Sequence, residues 1–249
     1  MSRAPFVLLP PSQGKSVGGV RSSRSGSFDS YLAEERNAVR SSLAAMLEVP
    51  GSVEALTRLR GPLLERASDG LKRIVSGDAP VLPTWRRYSG VVWTYLDPAT
   101  LTTAQRRRIL VPSALYGLTA GDDPIADYRL TFHDSVDGRG PLAPFWRDAL
   151  TAALVRVVGH SPVVDLLPAE HRRALDVEQL RLATPVVTVR FESTDGTRAI
   201  GHAAKAVKGV LARRLLAEGI TALPSFAWDR WRCVFVDESV ATVALLEAR

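Results

Sequence analysis

Three basic side chains stand three residues apart near the start of a strongly helical segment: His202, Lys205 and Lys208. This spacing places Lys205 and Lys208 one turn apart on the same face of a helix predicted over 203–217. The first turn of a helix also carries unpaired N–H groups and the positive end of the helix dipole, so we expect this turn to attract an anion. Two lysines that are simply solvated on a helix surface are the alternative.

A second group of polar residues lies in the loop that follows the first apolar segment. The loop reads PSQGKS at positions 11–16 and invites comparison with a phosphate-binding loop. Such a loop needs a glycine five residues before its Gly-Lys pair, and Leu9 occupies that position. The sequence therefore argues against an ATPase. It leaves two alternatives: a solvated loop, or a strand end that presents Ser12 and Lys15 to an anion.

Arg129, with Tyr128 before it, lies in a segment, 127–133, that the sequence predicts to be extended. A guanidinium group can hold an anion through two parallel N–H groups, so Arg129 is a candidate anion ligand. The same arginine could instead pair with an aspartate of the 122–127 segment. The sequence leaves both readings open, with Tyr128 as a candidate neighbour of the bound anion.

If the chain is an enzyme, the lysines are the residues that could react. Burial or crowding by other cations weakens the hold of a lysine on its proton, so that the amine can act as a base or form a Schiff base. Lys205 and Lys15 are the candidates for this catalytic role. Arg129 would then clamp the anionic part of the substrate.

The residue types argue against several other kinds of site. The four histidines, His133, His160, His171 and His202, never have the spacing of four that a zinc-binding helix shows. We therefore predict no metal site, and no cofactor is implied. The single cysteine, Cys233, permits no internal disulfide bond and suits a reducing compartment.

The charge balance favours an anionic partner. The 249 residues include 32 Lys and Arg against 26 Asp and Glu, a formal net charge of +6. Such an excess suits nucleic acid or an anionic, nucleotide-like small molecule. No apolar stretch is long enough to cross a bilayer, and the apolar part of Met1–Pro11 is too short for a signal peptide. We therefore expect a cytoplasmic protein without a membrane partner.

These candidate residues must be positioned by a mixture of strands and helices. The segments 6–9, 109–115 and 163–166 read as buried strands, and 10–27, which is rich in Pro, Gly, Ser and Arg, reads as a flexible loop. The irregular order of elements favours an α+β fold in a single domain over 1–249. Helices are predicted at 28–47, 52–60, 63–75, 87–96, 101–108, 144–158, 169–175 and 203–217, with an aromatic strand as the alternative for 87–96.

The clearest local turn signal lies in the last third of the chain. The segment 184–192 alternates as a strand, Asp195-Gly196 follows as a turn, and 198–201 starts a return strand. The sequence therefore predicts a hairpin here. Two further strands, 230–237 and 241–246, are predicted to complete the chain.

Short motifs follow one another in a fixed order along nearly the whole chain. They are Ser12-x-x-Lys15 preceded by two prolines, Tyr88-Ser89-Gly90-Val91, Leu115-Tyr116-Gly117-Leu118, Ile125 with Tyr128-Arg129-Leu130, Phe145-Trp146, Val164-Asp165-Leu166 and Lys205-x-x-Lys208-Gly209. Each motif is short, and the ordered set carries the information. In this order they resemble the YaaA family of bacterial proteins linked to peroxide stress.

This resemblance implies a compact α+β domain whose mixed β core is wrapped by helices around a positively charged cleft. It also implies partial similarity to helix-hairpin-helix proteins, DNA binding, and a role in protection against oxidative damage. The residues that the resemblance places in or beside the cleft are Ser12, Lys15, Tyr128, Arg129, Lys205 and Lys208.

The chain departs from the family pattern in three places. Thr119-Ala120-Gly121 stands where the family has an Arg-Pro pair, and 167–171 replaces a small polar residue and a Glu-Tyr pair. Phe132-His133-Asp134 stands where a glycine is usual. Such changes around a retained set of cations suit a specialised actinobacterial paralogue with a small-molecule substrate.

Three functions are therefore open at the level of sequence. The first is DNA binding through phosphate contacts in a basic cleft. The second is an enzyme of nucleotide, nucleoside or specialised metabolism that uses a cleft lysine and an arginine clamp. The third is a module that docks a protein partner.

Overall fold

Most of the predicted strands and helices are found near their predicted positions in the computed structural model, which describes residues 4–22, 24–136, 140–193, 195–197, 199, 201–237 and 239–245. The strands are β1 (Phe6–Leu8), β2 (Val81–Pro83), β3 (Ile109–Ser113), β4 (Gly117–Ala120), β5 (Pro124–Ala126), β6 (Val163–Asp165), β7 (Val186–Glu192), β8 (Ala227–Trp228), β9 (Trp231–Val236) and β10 (Val240–Leu245). The helices are α1 (Asp29–Leu47), α2 (Ser52–Thr57), α3 (Gly61–Ser76), α4 (Thr84–Arg87), α5 (Val91–Leu96), α6 (Thr103–Arg106), α7 (Leu142–Val158), α8 (Ala169–Arg172), α9 (Val177–Ala183) and α10 (Gly201–Glu218).

Eight of these strands form one sheet in the order β4-β3-β1-β6-β7-β10-β9-β8. The five neighbours β3, β1, β6, β7 and β10 are parallel to one another, whereas β4, β9 and β8 are antiparallel to their partners. The parallel strands therefore all end at one side of the sheet, which we call the carboxyl edge. A separate antiparallel pair is formed by β2 and β5.

The central strands are buried on both faces, and their sequences explain why. Val7 and Leu8 of β1, and every residue of β3 and β6, are buried. Continuous apolar runs of this kind are typical of parallel strands with helices on both faces. The buried side chains of strands and helices form one continuous apolar cluster. The predicted α+β fold with a mixed sheet is thus confirmed.

Helix α10 packs closely against α5. Gly209 permits this approach, because a Cβ atom there would lie 2.3 Å from the Val92 carbonyl oxygen and 2.9 Å from the Leu96 nitrogen. The small residue therefore fixes the distance between α10 and α5. It also fixes the position of the lysines at the start of α10.

The described residues confirm the hairpin predicted after β7. The Ser193 N–H donates to the Thr197 carbonyl over 2.7 Å, and the Ala199 N–H donates to the Phe191 carbonyl over 2.8 Å, so the chain returns antiparallel to the end of β7. Residues 198 and 200 of the expected return strand lie outside the described residues. Strand β7 itself pairs in parallel with β6 on one side and β10 on the other. The sequence reading missed these non-local partners because a turn signal is local.

Several smaller elements also differ from the sequence reading. The hairpin between β3 and β4, the β2–β5 pair and helix α9 were not predicted. The segment 127–133, expected to be extended, forms no strand. Helix α6 is shorter than predicted, but Thr102 caps it in a reciprocal arrangement with Gln105, as its sequence suggests.

The loop over 10–27 is attached to the rest of the chain at several points. Val20 exchanges backbone hydrogen bonds with Val81, and Lys15 forms an isolated β-bridge with Tyr88. The Ser16 N–H donates to the Arg87 carbonyl over 2.8 Å. The flexibility expected of this loop stays a prediction. None of the described helices combines the length and the apolar character that crossing a membrane requires.

Candidate functional site

The carboxyl edge brings together the loops that carry the candidate residues. Strand β1 lies between β3 and β6 in the sheet. After β1 the chain first adds β3 on one side and later adds β6 on the other side, so the direction of strand addition changes at β1. In open sheets of parallel strands, ligands bind outside the carboxyl ends at such a switch point. The loop with Ser12 and Lys15 follows β1, Ser113 ends β3, and Leu166 follows β6. The topology therefore indicates where a site should lie.

Lys15 is partly buried between aromatic rings. Its Nζ atom donates to the Ser12 carbonyl over 2.8 Å. The same atom lies 4.3 Å from the centre of the Tyr128 ring and 5.4 Å from that of Tyr88. Attraction between an ammonium group and a ring face holds a cation in such a place. Lys15 thus has a fixed position rather than a solvated one.

The surroundings of Lys15 oppose its charge. Burial, the largest cause, and the positive charge of Arg129 lower the pKa of Lys15 to about 7, although Asp127 acts to raise it. Arg87 adds a smaller contribution in the same direction as Arg129. Near neutral pH this side chain is therefore divided between ammonium and neutral amine. It is a group that can accept a proton or attack an electrophile at physiological pH.

Arg129 contacts the same loop. Its guanidinium donates to the Gln13 carbonyl, one residue beyond the carbonyl that Lys15 contacts. The carboxylate alternative is not observed: Asp127 pairs with Arg66, and Asp122 pairs with Arg106. Two cations from distant parts of the sequence are thus held by adjacent carbonyl groups.

A chain of buried hydroxyl groups lies behind Lys15. The Tyr88 and Tyr128 hydroxyls share a hydrogen bond of 2.7 Å, and the Ser113 hydroxyl donates to Tyr128 over 2.8 Å. The Tyr116 N–H donates to the Ser113 hydroxyl. Burial raises the pKa of Tyr128 to about 12 and that of Tyr88 well above its usual value. Both phenols therefore stay protonated at neutral pH.

Ser12 lies against Gly90, so the Ser-x-x-Lys motif contacts the Tyr-Ser-Gly-Val motif. A Cβ atom at Gly90 would lie 2.3 Å from the Ser12 hydroxyl oxygen. A Cβ atom at Gly14 would likewise lie 3.2 Å from the Ser89 hydroxyl oxygen. The Ser-x-x-Lys loop therefore packs on the Tyr-Ser-Gly segment, and Gly90 leaves the room that Ser12 needs.

Arg87 fixes the loop, and sequence reasoning missed it. Its side chain is fully buried and donates to the carbonyl groups of Ser16, Gly18, Pro80 and Ile125. Burial lowers the pKa of this guanidinium from its usual value. These hydrogen bonds join three segments: the loop after β1, the residue before β2, and β5. No local signal distinguishes Arg87 from Arg86 beside it, because the carbonyl partners come from distant parts of the chain.

Lys208 belongs to α10, and its side chain reaches the end of β6. Its ammonium donates to the Leu166 carbonyl and lies 5.2 Å from the centre of the Phe191 ring. Burial lowers the pKa of the nearby His171 to about 4; Glu170 opposes this shift and Lys208 adds to it. Lys208 and His171 are therefore electrostatic neighbours at the carboxyl edge.

Lys205 and His202 are exposed on the first turns of α10. The His202 ring lies 6.3 Å from the Tyr95 ring in an edge-to-face arrangement. The structure thus brings Ser12, Lys15, Tyr128 and Arg129 into one cluster, which we call the Lys15 cluster. Lys208 contacts the end of the neighbouring strand. The roles predicted for Lys205 and His202 stay predictions.

The use of lysine in this chain is selective. It contains four lysines, and three of them are the candidate residues Lys15, Lys205 and Lys208; the fourth is Lys72 on α3. Nearly every other basic residue is arginine. Burial can lower the pKa of a lysine enough to remove its charge near neutral pH, whereas an arginine stays charged. Within the described ranges, no group of three or more His, Cys, Asp or Glu side chains could hold a metal ion.

A family model and individual proteins match most of this chain. The family model described as peroxide stress protein YaaA matches residues 6–233. The chain belongs to this family. A UPF0246 protein of Streptomyces coelicolor is 31% identical over 225 residues, covering 86% of this chain and 84% of that protein. A UPF0246 protein of Corynebacterium efficiens is 33% identical over 217 residues, covering 84% of each chain.

Family membership confirms the resemblance read from the ordered motifs. The structure adds a physical account of why those motifs occur together. Ser12 fits against Gly90, and Lys15 lies on the rings of Tyr88 and Tyr128. The matched region, 6–233, contains the whole Lys15 cluster.

Proposed function

We propose that this chain binds DNA through its phosphate groups, with the Lys15 cluster as the central anion contact. The observation that carries the proposal is the convergence of Lys15 and Arg129 on adjacent carbonyl groups of one loop. Held this close, the two cations repel each other, as the effect of Arg129 on the pKa of Lys15 shows. A phosphate group bound between the two cations would attract both of them and so offset their mutual repulsion.

The surrounding charges support an anion rather than a cation as the ligand. Asp127, the nearest acid in electrostatic terms, is engaged by Arg66. The exposed Lys205 and His202 lie on the first turns of α10, which follows β7 from the carboxyl edge. The positive end of an 18-residue helix adds to their attraction for phosphate. The net charge of +6 suits a polyanion.

A role in peroxide stress extends this proposal. The description of the matching family names peroxide stress, and DNA is a target of oxidative damage. Binding that reads phosphates rather than bases would protect DNA without a preferred sequence. We therefore propose a DNA-protective role for this chain.

Binding of a labelled DNA duplex at several salt concentrations tests the proposal. We expect affinity to fall steeply with salt, because each phosphate contact releases a counterion. Lys15→Met and Arg129→Gln should each weaken binding and lower the slope of log K against log salt by about one. Lys72→Met removes a lysine on α3 and should change neither quantity. Absent or salt-independent binding by the wild type would contradict the proposal.

A second function, catalysis by Lys15, is favoured by one specific observation. The pKa of Lys15 is about 7, so a neutral amine is present at physiological pH. Such an amine can attack a carbonyl carbon of an anionic, nucleotide-like substrate and form a C=N bond with loss of one water. Arg129 would hold the anionic group of that substrate. Of the two lysines that the sequence put forward, Lys15 is partly buried and Lys205 is exposed.

Borohydride trapping separates the two functions. Wild type incubated with sugar-phosphate carbonyl compounds and borohydride should gain a stable adduct at Lys15 if the enzyme proposal holds. Lys15→Met should then gain none, while Lys205→Met and Lys72→Met should match the wild type. An adduct that persists in Lys15→Met would remove the catalytic role from Lys15.

A further inference from the structure

An open groove of about 610 Å³ lies beside the Lys15 cluster. It is formed by the loop after β1, by α4 and α5, and by the turn that follows α5. Trp85, Trp93, Arg86, Val17 and Pro98 contribute to its lining. Its volume is in the range of pockets that hold a small molecule or a nucleotide-sized group. No part of the DNA-binding proposal above uses it.

Trp85 gives this groove an aromatic wall that is held in place. The guanidinium of Arg106 lies 5.1 Å from the centre of the Trp85 ring. Arg106 is itself fixed by an ion pair with Asp122 of 2.9 Å and by a hydrogen bond to the Leu101 carbonyl. A ring held by fixed neighbours loses little freedom when a ligand stacks on it.

Arg86 places positive charge at the same wall. Its guanidinium lies 5.9 Å from the centre of the Trp85 ring, and its side chain also lines the groove. An aromatic surface beside a guanidinium suits a ligand that combines a flat ring with an anionic group. A nucleotide, with its base and phosphate, has this composition.

Trp93 adds a hydrogen-bond donor without a partner. The residue is 3% exposed, and its ring packs on that of Tyr88 with centres 5.1 Å apart. Among the described residues, no acceptor lies within hydrogen-bonding distance of its Nε1–H group. A buried donor that lacks a partner is costly. Trp93 therefore carries unused hydrogen-bonding capacity at a residue that also lines the groove.

We propose that this groove holds an unstacked base of single-stranded nucleic acid, with Trp85 as the stacking platform and Arg86 as a phosphate contact. The inference rests on the proposed DNA binding and adds to it a preference for unpaired bases. Ser16, next to Lys15, lines the groove, so the strand would continue from Trp85 to the Lys15 cluster. Tyr88 joins the two places, since it contacts both Trp93 and Lys15. Stacking on aromatic side chains is the common means of binding unpaired bases.

The test compares a fluorescein-labelled oligo(dT) strand with a duplex of equal length. Trp85→Leu should weaken binding of the single strand about 5- to 100-fold, the range that stacking of one base supplies. Its binding of the duplex should stay within about 2-fold of the wild type, because phosphate contacts carry that affinity. Tyr31→Leu is the matched control: it removes an exposed ring that also lies near an arginine, Arg156, on the α1–α7 side. This variant should bind both ligands as the wild type does.

Because Trp85 is partly buried, its replacement also removes packing contacts and can lower stability. Arg86→Gln changes an exposed residue and therefore provides a second variant that leaves the aromatic wall intact. It should also weaken single-strand binding more than duplex binding, and circular dichroism should show a native fold. Equal loss for both ligands, or no loss for oligo(dT) in either variant, would overturn the groove proposal. If the wild type binds neither ligand, the DNA-binding proposal itself fails. If it binds duplex in a salt-dependent way while Trp85→Leu leaves oligo(dT) binding unchanged, only the groove proposal fails.

Discussion

Lys15 keeps a charge in surroundings that disfavour it. Burial and the nearby Arg129 lower its pKa to about 7, whereas the carbonyl of Ser12 and the rings of Tyr88 and Tyr128 supply only partial compensation. A methionine of similar length would fit such a place without this penalty. Residues that reduce stability are characteristic of sites shaped for binding or chemistry.

Lys15→Met should therefore stabilise the protein at acidic and neutral pH. The folded-state pKa is about 7, below the unfolded value of 10.5, so the unfolded chain binds more protons between these two values. The penalty is full below pH 7 and disappears as the pH rises towards 10.5. We expect Lys15→Met to raise the free energy of unfolding by about 1 kcal/mol or more at pH 6, with a smaller gain at pH 9.5.

Urea unfolding at the two pH values measures this effect. Lys72→Met, which removes an exposed lysine of α3, should show a small change with little dependence on pH. If Lys15→Met is no more stable than Lys72→Met at pH 6, Lys15 does not carry the electrostatic penalty described here.

At the scale of elements, the close contact of α10 with α5 determines where Lys205 and Lys208 stand. Gly209→Ala would place a Cβ atom 2.3 Å from the Val92 carbonyl oxygen and 2.9 Å from the Leu96 nitrogen. Both neighbours are backbone atoms, so the helices must separate. We expect a loss of about 1–3 kcal/mol of unfolding free energy, as overpacking of a tight contact produces.

Thermal or urea unfolding of Gly209→Ala, with Ala203→Ser as control, checks this prediction. Ala203 is exposed on the same helix, and a small change there should stay within about 0.5 kcal/mol of the wild type. Unchanged stability of Gly209→Ala would contradict the close helix contact.

The elements themselves were largely predictable, because local patterns specify them. Apolar runs predicted β1, β3 and β6, and helical periodicity predicted α1, α3, α7 and α10. The turn after β7 was predicted as well, since the Ala199 N–H donates back to the Phe191 carbonyl, whereas the parallel pairing of β7 with β6 and β10 was not. Partners of parallel strands are distant in sequence, so no short motif predicts them.

The site was predictable in part, for a similar reason. Ser12, Lys15, Tyr128 and Arg129 were singled out by residue type and by motif order, and the structure places them together. Arg87 and the groove beside Trp85 were not found. Both are formed by carbonyl groups, rings and open space that several segments contribute, and these come together only when the chain is folded.

At the scale of the whole molecule, the sheet topology links residues that are far apart in sequence. Five parallel strands end at one edge, where the loop that follows β1 carries Lys15 and where Lys208 of α10 contacts the residue after β6. With a net charge of +6, the molecule suits a long anionic ligand that contacts several loops at once. Such a ligand would explain why cations converge where folding alone gains nothing from them.

The central claim is that Lys15 and Arg129 form one anion site, and the titration of Lys15 tests it most directly. Because the chain has four lysines, NMR of ¹³C-lysine-labelled protein can follow each Cε signal, with Lys15→Met assigning the one that matters. The account predicts that Lys15 titrates near pH 7 in the protein alone and at a clearly higher pH when a short DNA duplex is bound, because phosphate favours the ammonium form. Titration near 10.5 in the protein alone, or a pKa that saturating DNA leaves unmoved, would contradict it.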